Sequence, residues 1–147
     1  MEKMRMGGYL ISKIHQLSGR VFAKKLKSYK IDQINPAQGR ILFALWQQDN
    51  IPIQQLAAQT ALSKSTLTRM LDRLEETGHI KRSFPGDDRR KVLIQLTEQD
   101  RKMKQSYEEV SKDMVDLFYK GFSDNEINEF EGYLDRVYNN LLSVLNK

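Results

Sequence analysis

The sequence contains no cysteine and only 2 histidines. Disulfide bonds, thiolate metal sites and thiol-oxidation switches are therefore excluded. His15 and His79 lie far apart in the chain and have no cluster of carboxylates beside them, so we expect no metal site and no other cofactor. The chain also lacks a run of about 18 apolar residues, the minimum for a membrane-spanning helix.

The sequence patterns typical of enzymes are absent as well. There is no glycine-rich loop of the phosphate-binding kind and no spacing that pairs a nucleophile with a base. We interpret Ser63 and Ser65 as a helix cap and a groove contact rather than as nucleophiles. The N-terminal stretch M-E-K-M-R-M-G-G-Y-L lacks the apolar core of a signal peptide. The sequence therefore predicts a non-enzymatic cytoplasmic protein that does not associate with membranes.

Charge is distributed unevenly along the 147 residues, whose net charge is +5. Residues 1–62 carry nine Lys and Arg against three Asp and Glu, and residues 63–92 carry eight against five. Residues 93–147 carry seven against eleven. A basic excess confined to the first two thirds of the chain favours an anionic partner there.

Apolar periodicity predicts a mainly α-helical fold with a small β-hairpin wing. Asn35, Ser63 and Ser123 are expected to be N-caps, and Gly78 is expected to end a helix at positive φ. Ile51 begins a segment that fits a minor strand. The pattern predicts helices at 9–29, 36–48, 53–60, 64–77, 98–120 and 124–147, and strands at 79–84 and 92–96.

The helices at 53–60 and 64–77 have the dimensions of a helix-turn-helix, whose second helix enters the major groove by its N-terminal end. With Leu67 at the centre of the buried side, about 100° per residue places the Ser, Thr and Arg side chains on the opposite side. Arg69 is the best candidate for reading guanine, whereas Arg73 suits a phosphate and Asp72 suits orienting an arginine. The predicted DNA-binding residues of this helix are Ser63, Lys64, Ser65, Thr66, Thr68, Arg69 and Arg73.

The turn between the two strands is strongly basic. Cationic side chains at a hairpin tip can enter the minor groove, where narrow A·T-rich segments favour arginine. Asp88 is placed to brace Arg90 through a charge-assisted hydrogen bond. The predicted wing contacts are Asp88, Arg89, Arg90 and Lys91, and the alternative is a turn that is merely solvated.

Residues 53–97 resemble the winged helix of the MarR (multiple antibiotic resistance regulator) family. The resemblance is carried by I-Q-Q-L-A-A-Q-T-A-L-S-K-S-T-L-T-R-M-L-D-R-L-E-E-T-G-H-I-K-R and by D-D-R-R-K-V-L-I-Q-L-T. Asp88, Arg90, Leu96 and Thr97 match the family's spacing of an Asp and an Arg ahead of Leu-Thr, and N-P-A-Q at 35–38 resembles its second-helix entry. Asp100 departs from the glycine that the family often has. The resemblance implies a homodimer that binds a pseudo-palindromic operator, usually as a repressor.

The apolar stripes of the first and last helices also favour a dimer, because one small winged helix cannot cover both of them. We therefore assign 1–34 and 98–147 to a helical dimerisation region and 35–97 to DNA binding. Packing of these helices within a single chain is the alternative.

The resemblance further implies release from DNA by a small aromatic or phenolic effector. The candidate pocket residues are His15, Arg20, Phe43, Trp46 and Tyr107, although aromatic side chains on helices also fit a core. A winged helix that binds an acidic protein partner through Arg89 and Arg90 remains the alternative function.

Overall fold

The computed structural model describes residues 2–31, 34–86 and 91–146, which are mostly helical. The predicted fold class, mainly α with a small β wing, is confirmed. The elements are α1 (Gly7–Ser28), α2 (Pro36–Gln47), β1 (Ile51–Pro52), α3 (Ile53–Thr60), α4 (Lys64–Glu76), β2 (Ile80–Ser83), β3 (Leu93–Leu96), α5 (Glu98–Arg101), α6 (Lys104–Phe118) and α7 (Asp124–Leu145).

Two helices begin with the local caps that the sequence predicts. The Asn35 side chain accepts a hydrogen bond from the backbone N of Gln38 at 2.8 Å, and Asn35 N donates back to Gln38 Oε1 at 3.0 Å. Ser123 and Glu126 form the same reciprocal pair at the start of α7. Each of these capping boxes satisfies two backbone N–H donors that a helix start otherwise leaves unpaired.

The three strands form one antiparallel sheet in the order β1-β3-β2. Ile94 of the central strand pairs with Ile51 on one side and with Arg82 on the other. The minor strand expected near Ile51 is therefore present and joins the hairpin. β2 is one residue shorter than predicted at each end, and β3 is one residue shorter at its start.

The hydrophobic core is shared by α2, α3, α4 and the sheet. Alternation in β3 points Ile94 and Leu96 inward, and helical spacing in α4 does the same for its leucines. Core residues that are at most 2% exposed include Ile41, Leu42, Leu45, Ile51, Leu56, Leu67, Leu71, Leu74, Ile80, Ile94 and Leu96.

Helix α1 approaches α2 closely at a glycine. A Cβ added to Gly39 would lie 2.8 Å from Cε1 of Phe22. That separation is shorter than carbon atoms tolerate, so the ring of Phe22 occupies the place where a larger residue would put its side chain.

The described residues divide into two compact units. The first extends to Val110, and the second consists of Ser111 to Asn146, with α7 in it. The predicted functional division at 34/35 and 97/98 stays a prediction. Across the described residues, every helix falls short of the length or apolar character needed to cross a membrane.

The single helix predicted over 98–120 is wrong. Thr97 does cap the segment, since its hydroxyl accepts from the backbone N of Asp100 at 3.2 Å. Met103 N then donates to Asp100 O at 3.0 Å, which is an i→i−3 bond that tightens the chain into a turn before α6.

In α3 Ala58 is exposed, whereas the polar residue Thr60 is buried. Its hydroxyl donates to the carbonyl of Leu56 at 2.8 Å, so the polar group is satisfied within the helix.

Candidate nucleic-acid interface

Helix α4 has one buried side and one exposed side. Ser63 caps it, and its Oγ accepts a hydrogen bond from Thr66 N at 3.3 Å. Leu67, Leu71 and Leu74 are fully buried. Gly78 follows the helix at φ 83°, a backbone conformation that glycine adopts without strain. The apolar period thus fixes which side of α4 faces solvent.

The residues predicted to contact DNA from α4 lie on the solvent side. Arg69 and Arg73 are exposed, and Thr66 and Thr68 are half-buried at the edges of the buried stripe. Ser63, Lys64 and Ser65 are also exposed, at the N-terminal end of the helix. The placement leaves these side chains free to meet a groove, while their contact with DNA stays a prediction.

The hydroxyl groups at the start of α4 are linked to one another. Ser63 Oγ donates to Thr66 Oγ1 at 2.9 Å and lies 3.5 Å from Ser65 Oγ. Because Thr66 Oγ1 accepts this bond, its own hydrogen is available for an outside acceptor. The first turn of α4 therefore presents an ordered group of hydroxyls together with Lys64.

An arginine that the sequence argument overlooked joins β2 to α4. Arg82 Nη2 donates to Asp72 Oδ1 at 2.7 Å, and Arg82 Nη1 donates to Glu75 Oε1 at 2.8 Å. Its backbone N also donates to Glu75 Oε2 at 3.2 Å. Asp72 was expected to orient an arginine, and Arg82 is that arginine. The i, i+3 pair of acids on α4, followed by a basic strand, was the available signal.

Part of the wing, which we define as the hairpin of β2, β3 and their connection, can be described. Gly86 has φ 63° in the turn after Pro85, and Lys91 is exposed just before β3. The predicted contact residues Asp88, Arg89 and Arg90 lie outside the described residues, so the proposed brace between Asp88 and Arg90 stays a prediction.

A buried pair of hydrogen-bonded side chains lies at the base of the wing. His79 Nδ1 is 2.9 Å from Asp100 Oδ1, and the two side chains are 5% and 0% exposed. These two atoms are joined by a hydrogen bond. The partners are 21 residues apart, and no local pattern in the sequence could have paired them.

The predicted effector-pocket residues are only partly assembled. The rings of Trp46 and Tyr107 lie with centroids 5.8 Å apart. Burial raises the pKa of Tyr107, and the negative charge of Asp100 raises it further. His15 and Arg20 are exposed on α1, and Phe43 is exposed on α2. The pocket therefore stays a prediction, with Trp46 and Tyr107 as its assembled part.

An open cavity of about 250 Å³ lies in the second unit instead. Its lining differs entirely from the predicted pocket and consists of Met114, Val115, Phe118, Tyr119 and Glu131. Tyr119 donates to Glu131 Oε2 at 2.7 Å. The sequence analysis assigned none of these residues to a binding site.

The model of the MarR family matches residues 34–92 of the chain. The chain is similar to the HTH-type transcriptional regulator SarZ of Staphylococcus aureus, with 30% identity over 132 residues that cover 89% of this chain and 83% of that protein. The chain belongs to the MarR family. It is also similar to the HTH-type transcriptional regulator YfiV of Bacillus subtilis, with 33% identity over 64% of this chain and 66% of that protein.

Among solved structures, this MarR-family chain is similar to a mutant MarR of E. coli complexed with operator DNA. The TM-score is 0.76 at 27% identity, covering 88% of this chain and 91% of that one. Some curated relatives are matched over less of their length, since the chain spans 43% and 52% of two further transcriptional regulators.

Proposed function

We propose that this MarR-family protein is a non-enzymatic, homodimeric transcription regulator, acting as a repressor that binds a pseudo-palindromic DNA operator. The exposed Ser, Thr and Arg side of α4, opposite its buried leucines, is the observation that carries the proposal. Its likeness to the E. coli MarR that was solved with operator DNA supports the same role. Because the relatives are bacterial regulators, the proposal includes a cytoplasmic location.

Electrostatics supports the choice of DNA as the partner. The basic excess lies in residues 1–92, which contain α4, β2 and the connection between the wing strands, and the acidic excess lies after them. Arg82 pairs with both Asp72 and Glu75, which reduces the negative charge that α4 would bring towards phosphates. Lysine and arginine that replace counterions on DNA supply most of the sequence-independent affinity.

The dimer is supported by apolar side chains that the single chain leaves in solvent. On α7, Leu141, Val144 and Leu145 are 65%, 67% and 81% exposed, and Tyr9 and Leu17 on α1 are 60% and 55% exposed. Exposed helical stripes of this length are what a two-fold helical interface covers. A dimer of this kind would hold its two α4 helices about 34 Å apart, one turn of DNA.

A small aromatic effector that releases the operator completes the proposal. The contact between Trp46 and Tyr107 supports an aromatic-lined site in the first unit. A panel of salicylate-like and phenolic compounds added to the protein–DNA complex tests this part. Release by a compound, absent in Trp46→Ala, is expected; no release across the panel would make the protein a constitutive binder.

The central experiment measures binding to duplex DNA by fluorescence anisotropy at several salt concentrations. Affinity should fall steeply with salt, with a slope of about 0.9 per phosphate contacted. Arg90→Ala should weaken binding to all sequences, whereas Arg69→Ala should also relax the preference obtained by selecting bound duplexes from a random pool. Lys120→Ala, a cation exposed in the second unit, serves as the matched control.

Two outcomes distinguish operator binding from the alternative function, which is binding to an acidic protein partner. Steep salt dependence and a two-fold symmetric selected sequence support an operator-binding dimer. If Arg69→Ala and Arg90→Ala leave DNA affinity unchanged, the groove assignments are wrong, and an acidic protein becomes the partner to test through the same arginines.

A further inference from the structure

We propose that the buried pair His79–Asp100, which we call the latch, positions the wing for its contact with DNA. Asp100 is then a positioning residue, acting through His79 and the hairpin rather than by touching nucleic acid. The inference rests on the proposed function, because it assigns the latch a role in DNA binding. It starts from the residue at which the chain departs from its family.

The latch joins the two ends of the hairpin. His79 immediately precedes β2, and Asp100 lies in α5, which follows β3 directly. Between them, Thr97 N donates to the carbonyl of His79 at 3.1 Å. The Thr97 hydroxyl donates to Gly78 O at 2.7 Å and accepts from Asp100 N at 3.2 Å. The base of the wing is therefore fastened to the first turn of α5 by backbone and side-chain bonds together.

Burial of the Asp100 side chain restricts the hydrogen-bond partners available to it. The Asp100 side chain is fully buried, so no water can replace His79 as its partner without opening the structure. Arg101 beside it turns away, because its guanidinium pairs with Asp49 and Glu98. Tyr107 of α6 also faces Asp100. The hydrogen bond between His79 and Asp100 is the buried contact that ties the start of β2 to α5.

A second attachment fixes the wing from another direction. Arg82 in β2 holds Asp72 and Glu75 on α4, and the latch holds the base of the same hairpin on α5. Together with the pairing of β3 to β1, these two attachments hold the hairpin at a fixed angle to α4. Lys91, two residues before β3, then meets DNA in a fixed register with Arg69.

The test is a double-mutant cycle between the latch and the wing, measured as DNA affinity. In the otherwise unchanged protein, Lys91→Ala should weaken binding about three- to tenfold, as loss of a phosphate contact does. In Asp100→Ala, the same Lys91→Ala change should weaken binding by less than about twofold, because the wing is no longer held in register. Asp100→Asn, which keeps an oxygen acceptor for His79, should restore the full effect of Lys91→Ala.

Loss of stability alone would not produce this result. A latch that only stabilised the fold would lower the melting temperature but leave the effect of Lys91→Ala the same in both backgrounds, and that outcome overturns the proposal. If Asp100→Ala does not fold, the pair His79→Leu with Asp100→Ala replaces it, since removing both side chains leaves neither of them buried without the other. The double-mutant cycle with Lys91→Ala is then interpreted in the same way.

Failure of the latch and failure of the proposed function give different results. If the unchanged protein binds no DNA with steep salt dependence, the proposed function fails. If it binds DNA but Lys91→Ala has no effect, there is no wing contact at Lys91 to position, and the latch proposal is overturned while the function of α4 stands.

Discussion

Arg82 donates a hydrogen bond from Nη2 to Oδ1 of Asp72 at 2.7 Å, which ties β2 to the exposed side of α4. The arginine side chain is 18% exposed and the aspartate side chain 60%. The bond therefore combines a half-buried donor with a solvated acceptor. The bond contributes more to fixing the angle between β2 and α4 than to the free energy of unfolding.

Replacing this arginine should have a small effect on stability. Arg82→Met keeps much of the aliphatic bulk but removes both bridges, and we expect it to lower the free energy of unfolding by about 1 kcal/mol, because partly exposed ion pairs contribute little. Urea denaturation measures the change. Lys81→Met on the same strand is the control and should be near neutral, since Lys81 is exposed. A loss above about 3 kcal/mol would show that the pair behaves as a buried one.

The proposed dimer depends on α7. Leu141→Asp places a charge on a side chain that is 65% exposed in the single chain, so the folded chain should tolerate it. In a dimer the same charge would lose its water, and association should weaken by about 2 kcal/mol or more. Sedimentation over a range of concentrations measures this. Asn139→Asp adds the same charge at a polar position of α7 and should leave the dimer intact.

The start of α2 offers a test of local capping. Asn35→Ala removes the acceptor for Gln38 N and should lower the free energy of unfolding by about 1 kcal/mol. Asn35→Asp retains the acceptor and should keep most of the free energy of unfolding that Asn35→Ala loses. Thermal melting of the three proteins compares them, and equal stability of the alanine variant would show that Pro36 alone defines the start of the helix.

Tyr119 should be among the last tyrosines to ionise. Its hydrogen bond to Glu131, with a smaller contribution from burial, raises the pKa of Tyr119 to about 12. The folded-state pKa is above the ordinary value of about 10, so the stability contributed by this bond is present below pH 10 and is lost as pH rises through 12.

Ultraviolet absorbance of phenolate during an alkaline titration measures this ionisation. Tyr119→Phe should remove a component from the most alkaline part of the curve, and Glu131→Gln should move that component to lower pH. An unchanged curve in Tyr119→Phe would contradict the assignment.

Short-range features of the fold were predictable because their causes lie within a few residues. Ser63 and Ser123 cap helices as expected, and Gly78 takes the positive φ that ends α4. Each depends on one side chain and the backbone beside it. The exposed side of α4 followed in the same way from the spacing of its leucines.

Features that join distant segments were missed. The pairs His79–Asp100 and Asp49–Arg101 span 21 and 52 residues, and no periodicity encodes them. The break between α5 and α6 was missed because nothing in its own sequence resembles a helix stop. The predicted effector pocket depended on tertiary placement, of which only the contact between Trp46 and Tyr107 was found.

The close approach of Gly39 to Phe22 sets a minimum clearance between the first two helices. A methyl group added at Gly39 would overlap the ring of Phe22. The ring, or α1 as a whole, would then have to move. The absence of a side chain at position 39 therefore determines how near α1 can lie to the part of the first unit that carries the helix-turn-helix.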